Sequence, residues 1–313
     1  MNRTLVFLLL ALVVLVVVYL VINSARDVTY KAEVLFDVDT TKVDGIFIAN
    51  KEDSIRLRRA GAGWRLAEPV DYPAENRLVG DLLKKVCFME IETLIARDTS
   101  KDSLYGLDTT AANVALLHGA DTLANLFLGK TSDNYRHTYC RRVGEDEVYL
   151  VRGTFTGQLQ RKAKDWRDKV IMEIDKELIN RVDYQYPHEK FSLVKEDTLW
   201  TLQSNGKSSP VDERTLNHTL SAISRFRTFD FVDGDSARAV DFTVPELGLT
   251  ITTEVGDTYK LALVPQDKEG NRYLVRKDGV ENTLFVIYKG AANSLLKKQE
   301  DFIKEKEEGE KKT

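Results

Sequence analysis

The sequence has few of the residues on which disulfide scaffolds, metal centres and nucleic-acid interfaces depend. Its 313 residues include only two cysteines, Cys87 and Cys140, and four histidines. Two cysteines exclude a disulfide-rich scaffold and a four-thiolate metal site. The net charge is −4 at pH 7, so the chain has no excess of basic residues to replace the counterions of nucleic-acid phosphates. The composition therefore argues against a nucleic-acid partner.

The spacing of the histidines gives no metal or catalytic motif. Neither the i, i+4 spacing nor the H-x-E pattern of a zinc site relates His118, His137, His188 and His218. A G-x-S-x-G nucleophile elbow does not occur either. The sequence therefore yields no candidate catalytic, cofactor-binding or metal-binding residue, and we expect no enzymatic activity and no cofactor.

One short segment resembles part of a phosphate-binding loop. Gly129-Lys130-Thr131 has the final residues of such a loop, but Ala124 stands where the first glycine is needed. Without that glycine the backbone amides are not free to wrap a phosphate. The segment is predicted to be the end of a strand.

A long apolar run begins close to the start of the chain. Residues 5–22 read LVFLLLALVVLVVVYLVI and contain no charge, proline or glycine. A helix of this length rises roughly 27 Å, close to the thickness of a bilayer's hydrocarbon core. The alternative is a cleaved signal peptide, which usually has an apolar region of about 7–15 residues and a small-x-small cleavage site. Because Ile22-Asn23-Ser24-Ala25 matches such a site poorly, the sequence predicts an uncleaved single-pass anchor.

The rest of the sequence repeats itself at an offset of about 136 residues. The segment from Val43 to Leu159 aligns with the segment from Ile179 to Leu295, with YPAENRLVGDLLKKV over SPVDERTLNHTLSAI. A constant offset across several elements indicates a tandem repeat. The alternative is two unrelated halves of similar pattern.

Each repeat has the pattern of strands followed by one helix and further strands. Period-two alternation predicts strands at Val43–Asn50, Ser54–Arg58 and Gly63–Leu66. Pro73-Ala74-Glu75 marks a helix start, and Leu78, Leu82, Leu83 and Val86 form the buried stripe of that helix.

These patterns predict an α+β fold class, with an N-terminal transmembrane helix followed by two tandem repeats, each an antiparallel sheet with one packed helix. The expected organisation is a transmembrane signal anchor (1–25), a first repeat unit (26–170), a second repeat unit (171–299) and a charged tail (300–313).

The first repeat resembles the domain-of-unknown-function 4340 family. The matching pattern is I-x-I, I-x-L-x-R, W-R-L, P-x-x-Y-P-A-E and L-Y-G-L-D, with a glycine at the end of a later strand. The residues that carry it are Ile46, Ile48, Ile55, Leu57, Arg58, Trp64, Leu66, Pro69, Tyr72, Pro73, Ala74, Leu104, Tyr105, Gly106, Leu107, Asp108 and Gly129.

The resemblance implies a bacterial protein of the inner (cytoplasmic) membrane, single-pass, with its folded part extracytoplasmic. Genes of this family often lie beside ABC-type transporters of the gliding-motility-associated kind. We therefore expect contact with the membrane through residues 5–22 and a protein partner in a membrane transport complex. The resemblance carries no catalytic residue over to this chain.

Two functions are consistent with these features. The first is a non-enzymatic accessory or interaction protein associated with an ABC-type transport complex. The second is an extracytoplasmic binding module for an exported glycan, lipid or peptide. The second function predicts a groove between the two units lined by tyrosines, namely Tyr135, Tyr139, Tyr184 or Tyr186.

Overall fold

The computed structural model describes residues 12–19 and 33–303 of the chain. The chain divides into two compact units, Met1–Trp166 and Arg167–Thr313. Each unit contains a nine-stranded antiparallel sheet, and the second also has a two-stranded sheet. Helices are short, and the longest of those with described bounds have 12 residues each.

The first unit contains the strands β1 to β9. Their order across the sheet is β4-β3-β2-β1-β6-β7-β8-β9-β5. The bounds are β1 Gly45–Ala49, β2 Ser54–Ala60, β3 Gly63–Glu68, β4 Tyr72–Pro73, β5 Ile91–Ala96, β6 Ala112–His118, β7 Asp121–Thr131, β8 His137–Arg142 and β9 Val148–Arg152. The helices are α1 at residues 12–19, α2 Asn76–Cys87, α3 Asp102–Tyr105, α4 Thr156–Leu159 and a 3-10 turn at Ala163–Trp166.

The second unit contains the strands β10 to β20. Its large sheet has the order β14-β13-β12-β11-β17-β18-β19-β20-β16, and β10 pairs with β15. The bounds are β10 Val170–Glu173, β11 Ile179–Gln185, β12 Lys190–Glu196, β13 Leu199–Ser204, β14 Lys207–Pro210, β15 Arg225–Arg227, β16 Asp230–Asp233, β17 Leu247–Thr253, β18 Thr258–Pro265, β19 Arg272–Lys277 and β20 Thr283–Tyr288. The helices are α5 Glu213–Ser224, α6 Gly234–Arg238, α7 Lys289–Leu295 and 3-10 turns at Lys176–Leu178 and Gln299–Phe302.

The two large sheets have the same strand order, and their registers correspond. Ile46 pairs with Leu57 on one side and Leu116 on the other. In the second sheet, Val182 takes the same place between Leu193 and Ile251. All of these side chains are buried, so the same apolar positions line the inner face of both sheets.

The predicted α+β fold class is wrong. The described residues form mostly antiparallel sheet, with two nine-stranded sheets and few helices. The individual strands predicted at the start of the first repeat are confirmed as β1, β2 and β3. The class differs because each sheet extends to nine strands while the helices are few and short, so that each helix is a small addition to a large sheet.

The predicted transmembrane helix is also contradicted. Of the apolar run at residues 5–22, the structure describes residues 12–19, which are helical and exposed, and the rest lies outside the described residues. Among the residues that are described, no helix is both long enough and apolar enough to cross a bilayer. The structure therefore does not support the predicted single-pass anchor or the inner-membrane localisation.

An aromatic residue closes the core at the end of each unit. Trp166 is 1% exposed, and its carbonyl oxygen accepts a hydrogen bond from the backbone N–H of Glu75, just before α2. Phe302 is 0% exposed, and its carbonyl accepts from Asp212 just before α5 in the same way. Each contact satisfies a backbone donor at a helix start, where intrahelical partners are missing. Trp166 lies in a charged stretch and Phe302 in the predicted tail, and the remainder of that tail, residues 304–313, lies outside the described residues.

Two glycines of the family pattern meet where α3 crosses β7. Gly106 ends α3 with a φ of +67°, a left-handed conformation that favours glycine. A Cβ added at Gly129 in β7 would collide with the carbonyl oxygen of Tyr105, the residue before Gly106. The end of α3 therefore lies directly on the backbone of β7, which explains why both positions need glycine.

The close contact at Gly129 predicts opposite effects of two alanine substitutions. Gly129→Ala should lower the free energy of unfolding by about 1–3 kcal/mol, because the backbone of α3 must shift to admit a methyl group. Gly80→Ala, in the middle of α2 with open space around the added Cβ, should raise it by up to about 1 kcal/mol. Thermal melting of both variants measures the two shifts, and a shift of the same sign in both would contradict the packing argument.

A buried arginine fixes one edge of the second unit. Arg167 is 2% exposed, and its Nη1 lies 2.8 Å from Oδ2 of Asp233 in β16. The Thr283 hydroxyl in β20 donates to the other oxygen of that carboxylate at 2.7 Å. The guanidinium also lies 3.7 Å from the ring centroid of Phe231. The Arg167 side chain and its partners thus connect the start of the unit to the paired strands β16 and β20.

Removal of this arginine should destabilise the second unit strongly. Arg167→Ala should cost about 3 kcal/mol, because it leaves a carboxylate that is partly withdrawn from water without its main counter-ion. Arg238→Ala removes an exposed arginine from its ion pair with Asp235 and should cost less than about 1 kcal/mol. Urea denaturation of both variants gives the comparison. Equal midpoints would show that the buried ion pair stabilises the unit no more than the exposed one does.

Candidate binding groove on the second sheet

The outer face of the second sheet is polar because its strands alternate. In β11, Val182 and Tyr184 point inward and are buried, whereas Asp183 and Gln185 point outward. The same alternation in β17 turns Thr250 outward. The outer face is therefore made of side chains that the core does not constrain.

Outward residues from different strands form one polar row across the sheet, which we call the polar ladder. Each member is the direct cross-strand partner of the next, and the row runs through Lys260, Thr250, Asp183, Ser192, Gln203 and Ser208. Adjacent strands lie about 4.8 Å apart, so the row is roughly 24 Å long. The members come from six strands and meet only through the register of the sheet.

Next to the polar ladder, residues with small side chains form the floor of a shallow groove on the sheet. Gly248 in β17 is the partner of Gln185 on one side and of Ala262 on the other. A Cβ at Gly248 would make only ordinary contacts, 3.6 Å from Gln185. Gly248 is among the residues that line a groove of about 730 Å³ over β11, β12, β13, β14, β17 and β18.

The charges in this groove are unequal. Asp183 is the one acidic lining residue, and the Nε of Arg181 donates to its two oxygens at 2.9 and 3.0 Å. The Ser192 hydroxyl donates to the same carboxylate at 2.5 Å. The hydrogen bond from Arg181 to Asp183 raises the pKa of the guanidinium above its ordinary value. The aspartate charge is thus neutralised locally.

Three lysines line the same groove. They are Lys190 in β12, Lys207 in β14 and Lys260 in β18. Lys260 makes a long, exposed ion pair with Asp278 at 3.9 Å, and within residues 33–303 no ion pair is found for Lys190 or Lys207. With Asp183 neutralised by Arg181, the lysines give the groove a positive local charge.

The first sheet has a register that corresponds to that of the second, but it does not carry the same polar surface. The register positions of Asp183, Ser192, Thr250 and Lys260 are taken in the first unit by Phe47, Arg56, Ala115 and Asn125. The guanidinium of Arg56 lies 5.5 Å from the ring centroid of Phe47 and pairs with Glu68 at 3.3 Å. An apolar ring covered by an arginine thus replaces the polar ladder.

The four histidines lie apart, and three of them have a local partner. His118 is 3.4 Å from Asp44, and His137 is 3.7 Å from Glu92. His218 lies 3.4 Å from the Ser294 hydroxyl, and His188 lines a separate cavity of about 380 Å³. Across the described part of the chain, no group of three metal-ligating side chains is found.

The Gly129-Lys130-Thr131 segment is confirmed as the end of a strand, β7. The Thr131 hydroxyl lies 2.8 Å from that of Thr156 at the start of α4.

The four tyrosines predicted to line a groove differ in their surroundings, and Tyr184 is among the residues around the groove on the second sheet. Tyr184 is buried with its ring stacked 4.5 Å from Phe191, and the Tyr186 hydroxyl donates to the carbonyl of Lys297 at 2.7 Å. Tyr139 lies 4.9 Å from Tyr105, and Tyr135 is 80% exposed in a turn. Two of the four tyrosines lie in each unit.

The polar ladder was not predicted, because its members are far apart in sequence and each resembles an ordinary solvent-facing residue.

Comparison with known proteins places the chain in a family. Residues 64–245 match the model described as Domain of unknown function (DUF4340), and the chain belongs to this family. The match begins at Trp64 in β3 and ends at Pro245, just before β17, so it includes parts of both units. No curated protein and no solved structure matches the chain.

Both cysteines are free thiols in the interior. Cys87 lies on α2 and Cys140 on β8. Burial raises the pKa of Cys87 to about 11 and that of Cys140 to about 12, from an ordinary value of 9.0. The thiolate, which is the reactive form, is therefore disfavoured at both positions.

The raised pKa values predict slow thiol labelling. At pH 9.0 the native protein should react with an aromatic disulfide reagent much more slowly than the urea-unfolded chain, in which both thiols should react at once. Because each pKa is raised on folding, stability should also fall as the pH rises above 9. The reaction is followed by the absorbance of the aromatic thiolate that the reagent releases. Rapid labelling of the native protein would contradict the burial of the thiols.

Proposed function

We propose that this protein is a non-enzymatic interaction protein that uses the groove on the second sheet to bind a partner. The supporting observation is the polar ladder, in which six strands place hydrogen-bonding side chains in one row beside a groove of about 730 Å³. A rigid sheet holds such a row in place without ordering loops, so little conformational entropy is lost on binding.

The chemistry of the groove supports binding rather than catalysis. The Asp183 carboxylate accepts hydrogen bonds from Arg181 and Ser192. These hydrogen bonds hold the side chains of the ladder in position. The lysines and amides around it are suited to donating hydrogen bonds.

The proposed partner is a subunit of an ABC-type membrane transport complex. This part of the proposal comes from the genomic setting that the resemblance to the DUF4340 family implies, and the chain's membership of that family is consistent with it. The local positive charge of the groove would steer it to an acidic surface of that partner.

A second candidate is a binding module for a glycan, lipid or peptide that such a complex handles. The polar lining specifically favours it, because hydroxyl and amide side chains such as Ser192, Gln203 and Thr250 can bind a small polar ligand directly.

Affinity purification from the native cells tests the first candidate. The tagged full-length protein, extracted in mild detergent, should recover ABC-transporter subunits. Lys190→Glu with Lys260→Glu reverses two groove charges and should remove most of this recovery, because like charges then face the acidic partner. Mass spectrometry of the recovered proteins provides the measurement.

A charge-matched variant is the control. Lys101→Glu with Lys268→Glu changes two exposed lysines outside the groove by the same total charge, and recovery should be retained. Equal recovery by the groove variant would show that the groove is not the contact surface. Absence of transporter subunits from the wild-type sample would overturn the first candidate and leave the second.

A further inference from the structure

We infer that the groove on the second sheet binds an acidic glycan, an extended polysaccharide that carries carboxylates and lies across the strands along the polar ladder. The inference rests on the second candidate function and names its ligand class. Three properties of the groove carry it: its local charge, its supply of hydrogen-bonding groups, and the shape of its floor.

The charge of the groove is opposite to that of the chain. The whole protein has a net charge of −4, yet the groove holds three lysines and one aspartate that Arg181 neutralises. The lysines come from β14, β12 and β18, so at about 4.8 Å per strand they are spread over roughly 24 Å of the sheet. A ligand with repeated carboxylates fits this arrangement better than a neutral one.

Most of the ladder offers side chains and no free backbone. Strands β11, β12, β13, β17 and β18 are interior strands, each paired on both sides, so their backbone donors and acceptors are used within the sheet. A peptide could add a strand only beside β14, the edge strand at one end of the ladder. Hydroxyl groups of a sugar need only side-chain partners, such as the Thr250 hydroxyl and the amide oxygen of Gln203, whose nitrogen donates to Glu196 at 3.3 Å.

The floor of the groove excludes a lipid tail as the preferred ligand. The large apolar side chains of these strands, such as Val182, Leu193 and Ile251, point to the other face and are buried. An acyl chain would gain less here than in an apolar cavity, because hydroxyl, amide and ammonium groups form part of the lining. Gly248 and Ala262 instead leave room for a flat polar ring beside the ladder.

Titration of the purified full-length protein tests the inference. The ligands are oligogalacturonate as the acidic glycan, a dextran oligosaccharide as the neutral glycan and a glutamate-rich peptide. Calorimetry should show binding of oligogalacturonate that weakens as salt is added, and weaker binding of the other two. Tighter binding of the dextran or of the peptide would overturn the acidic-glycan class but leave the groove as a binding site.

Two variants locate the binding. Gly248→Leu fills the groove without a change of charge, and Lys190→Glu with Lys260→Glu reverses two charges; each should lower the affinity about tenfold or more. Lys101→Glu with Lys268→Glu should leave the affinity unchanged. Melting curves that match the wild type show that the variants fold. Unchanged affinity in both groove variants would overturn the inference, and failure of all three ligands to bind would overturn it while leaving recovery of the transporter as a separate result.

Discussion

Successive residues of a β-strand face opposite sides of the sheet, and in both units one of those sides is buried. This constraint determines which positions must be apolar. Ile46, Leu57 and Leu116 fill one inner face, and Val182, Leu193 and Ile251 fill the other at the same places in the register. A shift of one residue in any strand would move its apolar set to the solvent side, so the register is strongly fixed.

The same constraint leaves the outer faces free to differ. The inner face of each sheet can accept only side chains that fill its core, whereas an outer side chain changes without disturbing the fold. The two units show this difference directly, with Phe47 under Arg56 on one sheet and Asp183 beside Ser192 on the other. A repeated fold thus carries two surfaces of different chemistry.

The sequence predicts the inner faces much better than the outer ones. Alternation located β1, β2 and β3 because buried apolar residues repeat every second position. It could not show that each sheet extends to nine strands beside few and short helices, and for this reason the α+β class was wrong. Trp166 and Phe302 were missed as core residues because each is a single aromatic in a charged stretch, and only the tertiary fold brings it to a helix start.

The groove could not be predicted for a related reason. Lys260, Thr250, Asp183 and Ser192 are distant in sequence, and a lone polar residue on a strand is normally just a solvated one. Whole-chain charge was also a poor guide, because a net charge of −4 hides a groove in which Arg181 cancels the one aspartate. The charge of the groove depends on which side chains the sheet brings to this face, where Arg181 and Asp183 from β11 lie with lysines from three other strands. The local charge therefore follows from the same strand alternation and pairing that order the core.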